Sequence, residues 1–397
     1  MTLDFKTSIN RVLMCLIPAC LVLGGCASGA AQERVALSIQ TAPTGQSVLE
    51  SARRVADWQL GHMEDFTYLR TFQRQSADPT GWIQATFYSG LTALADATNE
   101  PRYADAVLAR GEALNWRLGA RPRHADDDAI GQAWIWAAAR VEDAERARRL
   151  APMRARFDAV LAEPSATDLD FGDAPGDRPC QVRWCWSDAL FMAPPVWFEL
   201  TRLTGDPRYA AHADQEYRAV VDKLYDPQAR LFYRDSRFIG QRGPAGQPVF
   251  WARGNGWTYA GLVAILDNLP PEDPRRAFYV DLYRQMSASL IEHQGNEGYW
   301  PVSLLDPVGP PETSGTGFIV YGLAWGLNTG LLDGAGYRDA VRRGWSALER
   351  AVDSDGRLGW VQQVGFAPDE VTATDTQLYG AGAYLMAASE IAKQPNW

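Results

Sequence analysis

Apolar positions along this chain fall into blocks of two kinds. Residues 82–97 (WIQATFYSGLTALADA) and 254–266 (GNGWTYAGLVAIL) are apolar or small on nearly every side, which suits a helix buried all round. Residues 143–157 (DAERARRLAPMRARF) instead carry charge at helical spacing and predict a helix with one face in water. The two kinds alternate. Segment 82–97 leads into Thr98-Asn99-Glu100-Pro101-Arg102-Tyr103, and segment 195–203 leads into Thr204-Gly205-Asp206-Pro207-Arg208-Tyr209, so the two turns are near copies. A further apolar segment runs over 130–150 to Pro152, another over 256–269 to Pro274, and another over 318–332 to the turn 334–337.

Five such units, with room for one more at each end, suit a closed ring of helical hairpins over residues 45–397 better than two unrelated domains. The competing architecture is an open solenoid of helix pairs, which binds partners along a concave face. Closure is favoured because the loops before the apolar helices carry the aromatic and acidic clusters, and only a ring brings those loops to one face.

The N-terminus stands apart. Lys6 and Arg11 precede an apolar stretch, 12–23, that is too short for a dependable membrane span and has the layout of an export signal. It ends Leu23-Gly24-Gly25-Cys26, which resembles the bacterial lipobox. The expectation is a signal peptide over 1–25, lipidation at Cys26 with membrane attachment in the cell envelope, and a flexible linker over 26–44. The alternative is an ordinary secreted protein cut after small residues.

Composition narrows the function. The 397 residues are 46% hydrophobic and 22% charged, as in globular proteins, and the formal net charge of −10 excludes the basic footprint of a nucleic-acid partner. The 15 Trp, 15 Tyr and 14 Phe suit core packing or stacking on sugar rings. Four histidines without ligand spacing give no metal site, and Cys180 and Cys185 are the cysteines left in the body, free or paired across a short loop.

Three clusters carry candidate chemistry. In Trp184-Cys185-Trp186-Ser187-Asp188-Ala189-Leu190-Phe191, one carboxyl sits among apolar neighbours, where burial favours the protonated form and a general acid. The alternative is that Ser187 and Asp188 cap a helix. In His124-Ala125-Asp126-Asp127-Asp128, adjacent carboxylates repel one another, or simply complement a helix start. Together the two acidic mouths place carboxyls on either side of one sugar, as in glycosidases. The third, Phe250-Trp251-Ala252-Arg253-Gly254-Asn255-Gly256-Trp257, holds a guanidinium between indoles, for a carboxylate and a sugar face or for a structural stack. The loops Glu312-Thr313-Ser314-Gly315-Thr316-Gly317 and Thr374-Asp375-Thr376-Gln377 occupy the same position before an apolar helix and are expected at the rim.

The strings HADDDAIGQ, CWSDALFMAPP, FWARGNGW, ETSGTGF and GRLGWVQQVG resemble those of glycoside hydrolase family 105, a relative of family 88, from about residue 82 to residue 392. The resemblance implies an all-α (α/α)6 barrel. It also implies a cofactor-free hydrolase that removes a Δ4,5-unsaturated uronic acid from the non-reducing end of lyase-generated oligosaccharides. Carried over, Asp188 is the general acid and base, with Asp126 or Asp127 as the second carboxyl. Trp251, Arg253 and Trp257 hold the unsaturated uronate, its carboxylate near Arg253, and Trp186, His124 and Thr316 are further substrate contacts. Some members carry a histidine in the region of Phe232 to Ser236, where this chain has none. The rival activities are a conventional inverting glycosidase using Asp188 and Asp126, and a glycan-binding lipoprotein without catalysis.

Overall fold

Segments that are apolar on all sides must be covered on all sides, and in the computed structural model they form the inside of a ring. The structure describes residues 44–173, 176–306 and 308–394. The expected signal peptide, Cys26 and the linker up to residue 43 lie outside the described residues. In chain order the helices are α1 (Gly45–Gly61), α2 (Trp82–Thr98), α3 (Pro101–Ala113), α4 (Ala125–Asp128), α5 (Gly131–Ala138), α6 (Asp143–Ala162) and α7 (Ala189–Met192). They continue with α8 (Pro194–Thr204), α9 (Pro207–Leu224), α10 (Ala252–Asn268), α11 (Arg276–Glu292), α12 (Thr313–Thr329), α13 (Ala335–Arg350) and α14 (Leu378–Lys393).

Helices α2, α5, α8, α10, α12 and α14 pack side by side in that order, and α14 returns to α2, so the ring closes. On their outer sides lie α3, α6, α9, α11, α13 and α1, each against its inner partner, which makes the (α/α)6 barrel. The contrast in patterning follows. In α12 every residue from Thr313 to Val320 is buried, whereas in α13 burial is confined to a stripe through Val341, Gly344, Trp345 and Leu348. Close approach of inner helices needs missing side chains. A Cβ on Gly90 would lie 2.4 Å from the Gly382 carbonyl oxygen, and one on Gly382 would lie 2.3 Å from the Thr86 oxygen, so α2 and α14 touch backbone to backbone.

Two sequence expectations change. The sixth hairpin is not an extra unit at each end but one pair made from both ends, since α1 packs on α14. The segment 130–150 is two helices, because α5 ends at Ala138 and α6 begins at Asp143. Pro152, expected to end a helix, lies inside α6. The true break, Arg140-Val141-Glu142, has neither glycine nor proline to announce it, while tertiary packing of the outer layer tolerates the proline.

Because the inner helices run the same way, their N-termini share one mouth. Short antiparallel pairs brace its loops: β1 (Tyr225–Asp226) with β2 (Leu231–Phe232), and β3 (Trp300–Pro301) with β4 (Pro311–Glu312).

Candidate active site

Asp188 is positioned by the loop that enters α7. Cys180 and Cys185 are joined by a disulfide, Trp186 bridges to Asp235, and the Ser187 backbone N–H donates to the Arg234 carbonyl at 2.8 Å. Asp188 occupies the N-cap position of α7, yet its side chain accepts no capping hydrogen bond, so the capping alternative falls. The residue is 8% exposed. One carboxylate oxygen accepts the Ser187 hydroxyl at 3.2 Å and lies 3.6 Å from Arg234 Nε, too far for a good hydrogen bond. Burial pushes its pKa up, while the positive charges of Arg234 and Arg253 pull the other way and lose.

The acidic run is divided by geometry into three different roles. Asp127 is taken by Arg121, whose backbone N–H and Nε donate to its two oxygens at 2.8 Å each. Asp128 accepts Trp197 Nε1 at 3.3 Å and sits 3.6 Å from Arg156, and burial raises its pKa to about 7. Asp126 is left without a close cation, with Arg121 Nη2 at 3.8 Å and His124 Nδ1 at 3.7 Å. Burial raises it to about 7, Arg121 opposes the rise and the neighbouring charge of Asp188 adds to it. Asp126, not Asp127, is therefore the carboxyl that stands with Asp188.

His124 joins the two loops. Its ring lies 5.0 Å from that of Trp186, and its Nδ1 accepts the Asp126 backbone N–H at 3.3 Å. Burial, reinforced by the positive charge of Arg121, lowers its pKa to about 3, so the ring is neutral at working pH.

The third cluster is built inward. Arg253 is 1% exposed and stacks between Trp251 and Tyr379, with its guanidinium carbon 4.4 and 4.8 Å from their ring centres. Its terminal nitrogens donate to the carbonyls of Gln362 (2.6 Å) and Gln363 (2.9 Å), and Trp251 Nε1 donates to the Gln362 side chain at 2.8 Å. The cluster thus clamps the 361–363 loop, and Nε is the part of Arg253 without a partner among the described residues. Trp257 is buried against Phe318 and Phe191, as floor under the site.

Thr316, expected to contact substrate, is a correction. It is fully buried in α12, and its hydroxyl donates to the Glu312 carbonyl at 2.6 Å and accepts the Trp300 N–H at 3.0 Å, so it ties the helix to its own loops and has no surface open to a sugar. Glu312 is likewise not at the rim. It is fully buried and caps α12 by accepting the N–H groups of Ser314 (3.0 Å) and Gly315 (2.6 Å). Asp375 accepts two hydrogen bonds from Arg70, at 2.6 and 2.9 Å.

Sequence reasoning missed Arg234. It faces Asp188 from the loop after β2 and is held by Asp235, to which Nη1 donates at 2.7 Å. Its one signal is indirect, since it lies in the segment from Phe232 to Ser236 where some family members carry a histidine and this chain has none.

Comparison with known proteins agrees with the fold and gives the family. The profile of Glycosyl Hydrolase Family 88 matches residues 51–394. An unsaturated 3S-rhamnoglycuronyl hydrolase of Alteromonas sp. (strain LOR) is 41% identical over 379 residues, 92% of this chain and 91% of that protein. A protein of the same name from Formosa agariphila is 36% identical over 323 residues, 79% of this chain and 85% of that protein. Among solved structures, a glycosyl hydrolase family 88 protein from Bacteroides vulgatus superposes with a TM-score of 0.76 at 26% identity, covering 88% of this chain and 99% of that one.

Proposed function

The chain belongs to Glycosyl Hydrolase Family 88, and on that premise we propose that it hydrolyses Δ4,5-unsaturated uronyl oligosaccharides, releasing the unsaturated uronic acid from the non-reducing end of lyase products. The observation that carries this reading is the pair Asp126, partly buried, and Asp188, buried, both with raised pKa and neither hydrogen-bonded to a cation, their nearest guanidinium nitrogens standing 3.8 and 3.6 Å away. The names of the two bacterial relatives support an unsaturated uronyl substrate joined to rhamnose.

The geometry fits the chemistry of an enol ether. In its neutral form Asp188 donates a proton to C4 of the double bond, and positive charge develops at C5, where the ring oxygen shares it. Water adds at C5 while the Asp188 carboxylate takes the proton back, and the hemiketal formed opens to free the next sugar. One water is consumed and the aspartate is regenerated, so no covalent sugar–enzyme intermediate is needed. A carboxyl that gives and takes back the same proton must not be held firmly ionised, and burial raises the pKa of Asp188 above the usual carboxylate range. Asp126 stands on the other side of the reacting ring, where its own raised pKa lets it remain neutral beside a charged neighbour.

The test uses the conjugated chromophore. Incubation with unsaturated oligosaccharides should remove their ultraviolet absorbance, while saturated counterparts remain intact. Release of sugar from a saturated oligosaccharide, with the absorbance of the unsaturated one unchanged, would establish a conventional glycosidase instead.

We also propose that the protein is an exported lipoprotein held to the membrane through Cys26, a reading supported by the N-terminal sequence alone. Labelled fatty acid should enter the full chain and be absent from a Cys26→Ala variant; equal labelling of both refutes it.

A further inference from the structure

Large apolar side chains left in water are not spread evenly over this barrel. Among the described residues, those exposed are Phe72, Ile239, Val308 and Phe366. Each lies in a segment that leads into an inner helix, before α2, α10, α12 and α14 respectively, so they stand at the mouth that holds Asp126 and Asp188. Exposed apolar residues scattered singly over a surface need no explanation, but a set gathered at the entrance of a cleft marks something that binds there.

Phe366 is the one whose position is fixed by two other loops. Arg253 holds the carbonyls of Gln362 and Gln363, and Gln362 Nε2 donates to the Ala367 carbonyl at 2.7 Å, which closes a short turn with Phe366 at its tip. From the loop before α10, Arg237 lies against the ring, its guanidinium carbon 5.3 Å from the ring centre and 4.4 Å from that of Phe171. Arg237 is in turn held by Asp235, a fully buried carboxylate that accepts its Nε at 2.9 Å and its Nη2 at 2.8 Å. The same carboxylate holds Arg234, which faces Asp188. A ring fixed in this way loses little freedom when a ligand stacks on it, and 55% of the residue is still open to solvent.

Position along the cleft names the occupant. The unsaturated uronate is a chain end that reacts between Asp126 and Asp188, so the rest of the oligosaccharide extends outward from there. Phe366 is linked to Asp188 through Arg237, Asp235 and Arg234, each in contact with the next, which places it outward of the sugar bonded to the uronate. We infer that Phe366 is a stacking platform for a sugar beyond that one, its ring covering the C–H face of the pyranose, so that the site binds unsaturated tri- and tetrasaccharides more tightly than disaccharides. The inference rests on the substrate class proposed above.

The experiment takes unsaturated di- and tetrasaccharides from one lyase digest and follows the loss of their ultraviolet absorbance with the full chain, with Phe366→Ala and with Phe366→Trp. The unaltered protein should show a KM about tenfold lower for the tetrasaccharide, the effect of one stacked ring, with similar kcat. Phe366→Ala should raise the tetrasaccharide KM to the disaccharide value, which itself moves by less than about twofold, and Phe366→Trp should keep the advantage of length. Equal KM for the two lengths in the unaltered protein, or an advantage that survives in Phe366→Ala, overturns the platform; a folding defect acts on both lengths and cannot imitate the expected result. Sedimentation tests the other occupant. A dimer of the unaltered protein that becomes monomeric in Phe366→Ala assigns the apolar mouth to a second copy of the chain and refutes the inference. Calorimetric binding separates the platform from the reaction. If neither oligosaccharide is hydrolysed, yet the tetrasaccharide binds more tightly and Phe366→Ala removes the difference, the proposed activity is refuted and the platform stands. If neither is bound, both are refuted.

Discussion

At the mouth formed by the C-terminal halves of the inner helices, a cavity of about 590 Å³ is walled by Asp96, Glu199, Asp267 and Glu390, so it is as acidic as the mouth that holds Asp126 and Asp188. Burial raises the pKa of Asp267 to about 6 and raises that of Glu199 as well. A perturbed carboxyl therefore does not tell the two ends apart. Partners do. Asp96 accepts Arg140 at 2.5 Å and Trp136 Nε1 at 3.0 Å, Glu199 accepts Arg202 at 3.0 Å, Asp267 accepts Trp325 Nε1 at 2.8 Å, and Glu390 is held by Lys393 and by Asn328 at 2.8 Å. At the other mouth Asp188 has a weak hydroxyl contact and a distant guanidinium, and Asp126 has less. A carboxyl already bonded to a donor has spent the lone pairs that a reaction would need, and its proton affinity is tied to a fixed neighbour.

The largest expected effect tests that difference directly. Asp188→Asn should lower kcat on the unsaturated substrate by about 10²–10⁴, the range for losing a general acid, whereas Asp267→Asn should leave it within about twofold. Comparable losses in both variants would erase the distinction between the ends.

Arg234→Gln sharpens it. Arg234 lowers the pKa of Asp188, so its removal lets burial act unopposed and the pKa rises further. Activity that needs the protonated acid is lost as pH climbs through that pKa, so the alkaline limb of the kcat/KM profile should move to higher pH. A limb that stays in place, or moves to lower pH, contradicts the placement of Arg234.

The smallest effect is on stability. Asp128 has its folded pKa at about 7, above its ordinary 3.8, so the stability it lends is whole at pH below 3.8 and is lost as pH rises through about 7. Thermal melts of Asp128→Asn, taken relative to the unaltered protein, should therefore improve between pH 5 and pH 8. A constant difference in Tm across that interval would mean that Asp128 is not the strained, buried acid that its surroundings imply.

Some of this was legible along the chain and some was not. The alternation of all-apolar and one-sided segments marked five hairpins, because burial on all sides leaves no room for polar positions at any phase of the helix. The apolar company of Asp188 was visible for the same reason. The break at residues 140–142 was invisible, since no glycine or proline stands there and the proline that does stand nearby is inside α6. Arg234 was invisible because its value lies in proximity to a residue far away in the chain.

Local sequence thus determined what each segment must do, bury itself or face water, together with the strings by which the family is recognised. Only the closed ring decided which carboxyl is free. Asp126, Asp127 and Asp128 are chemically identical neighbours, and their separation into an open acid, a partner of Arg121 and a buried companion of Trp197 comes from side chains that other helices and loops bring to each. Hydrogen-bond partners are set by position in space, and no pattern within a few residues encodes them.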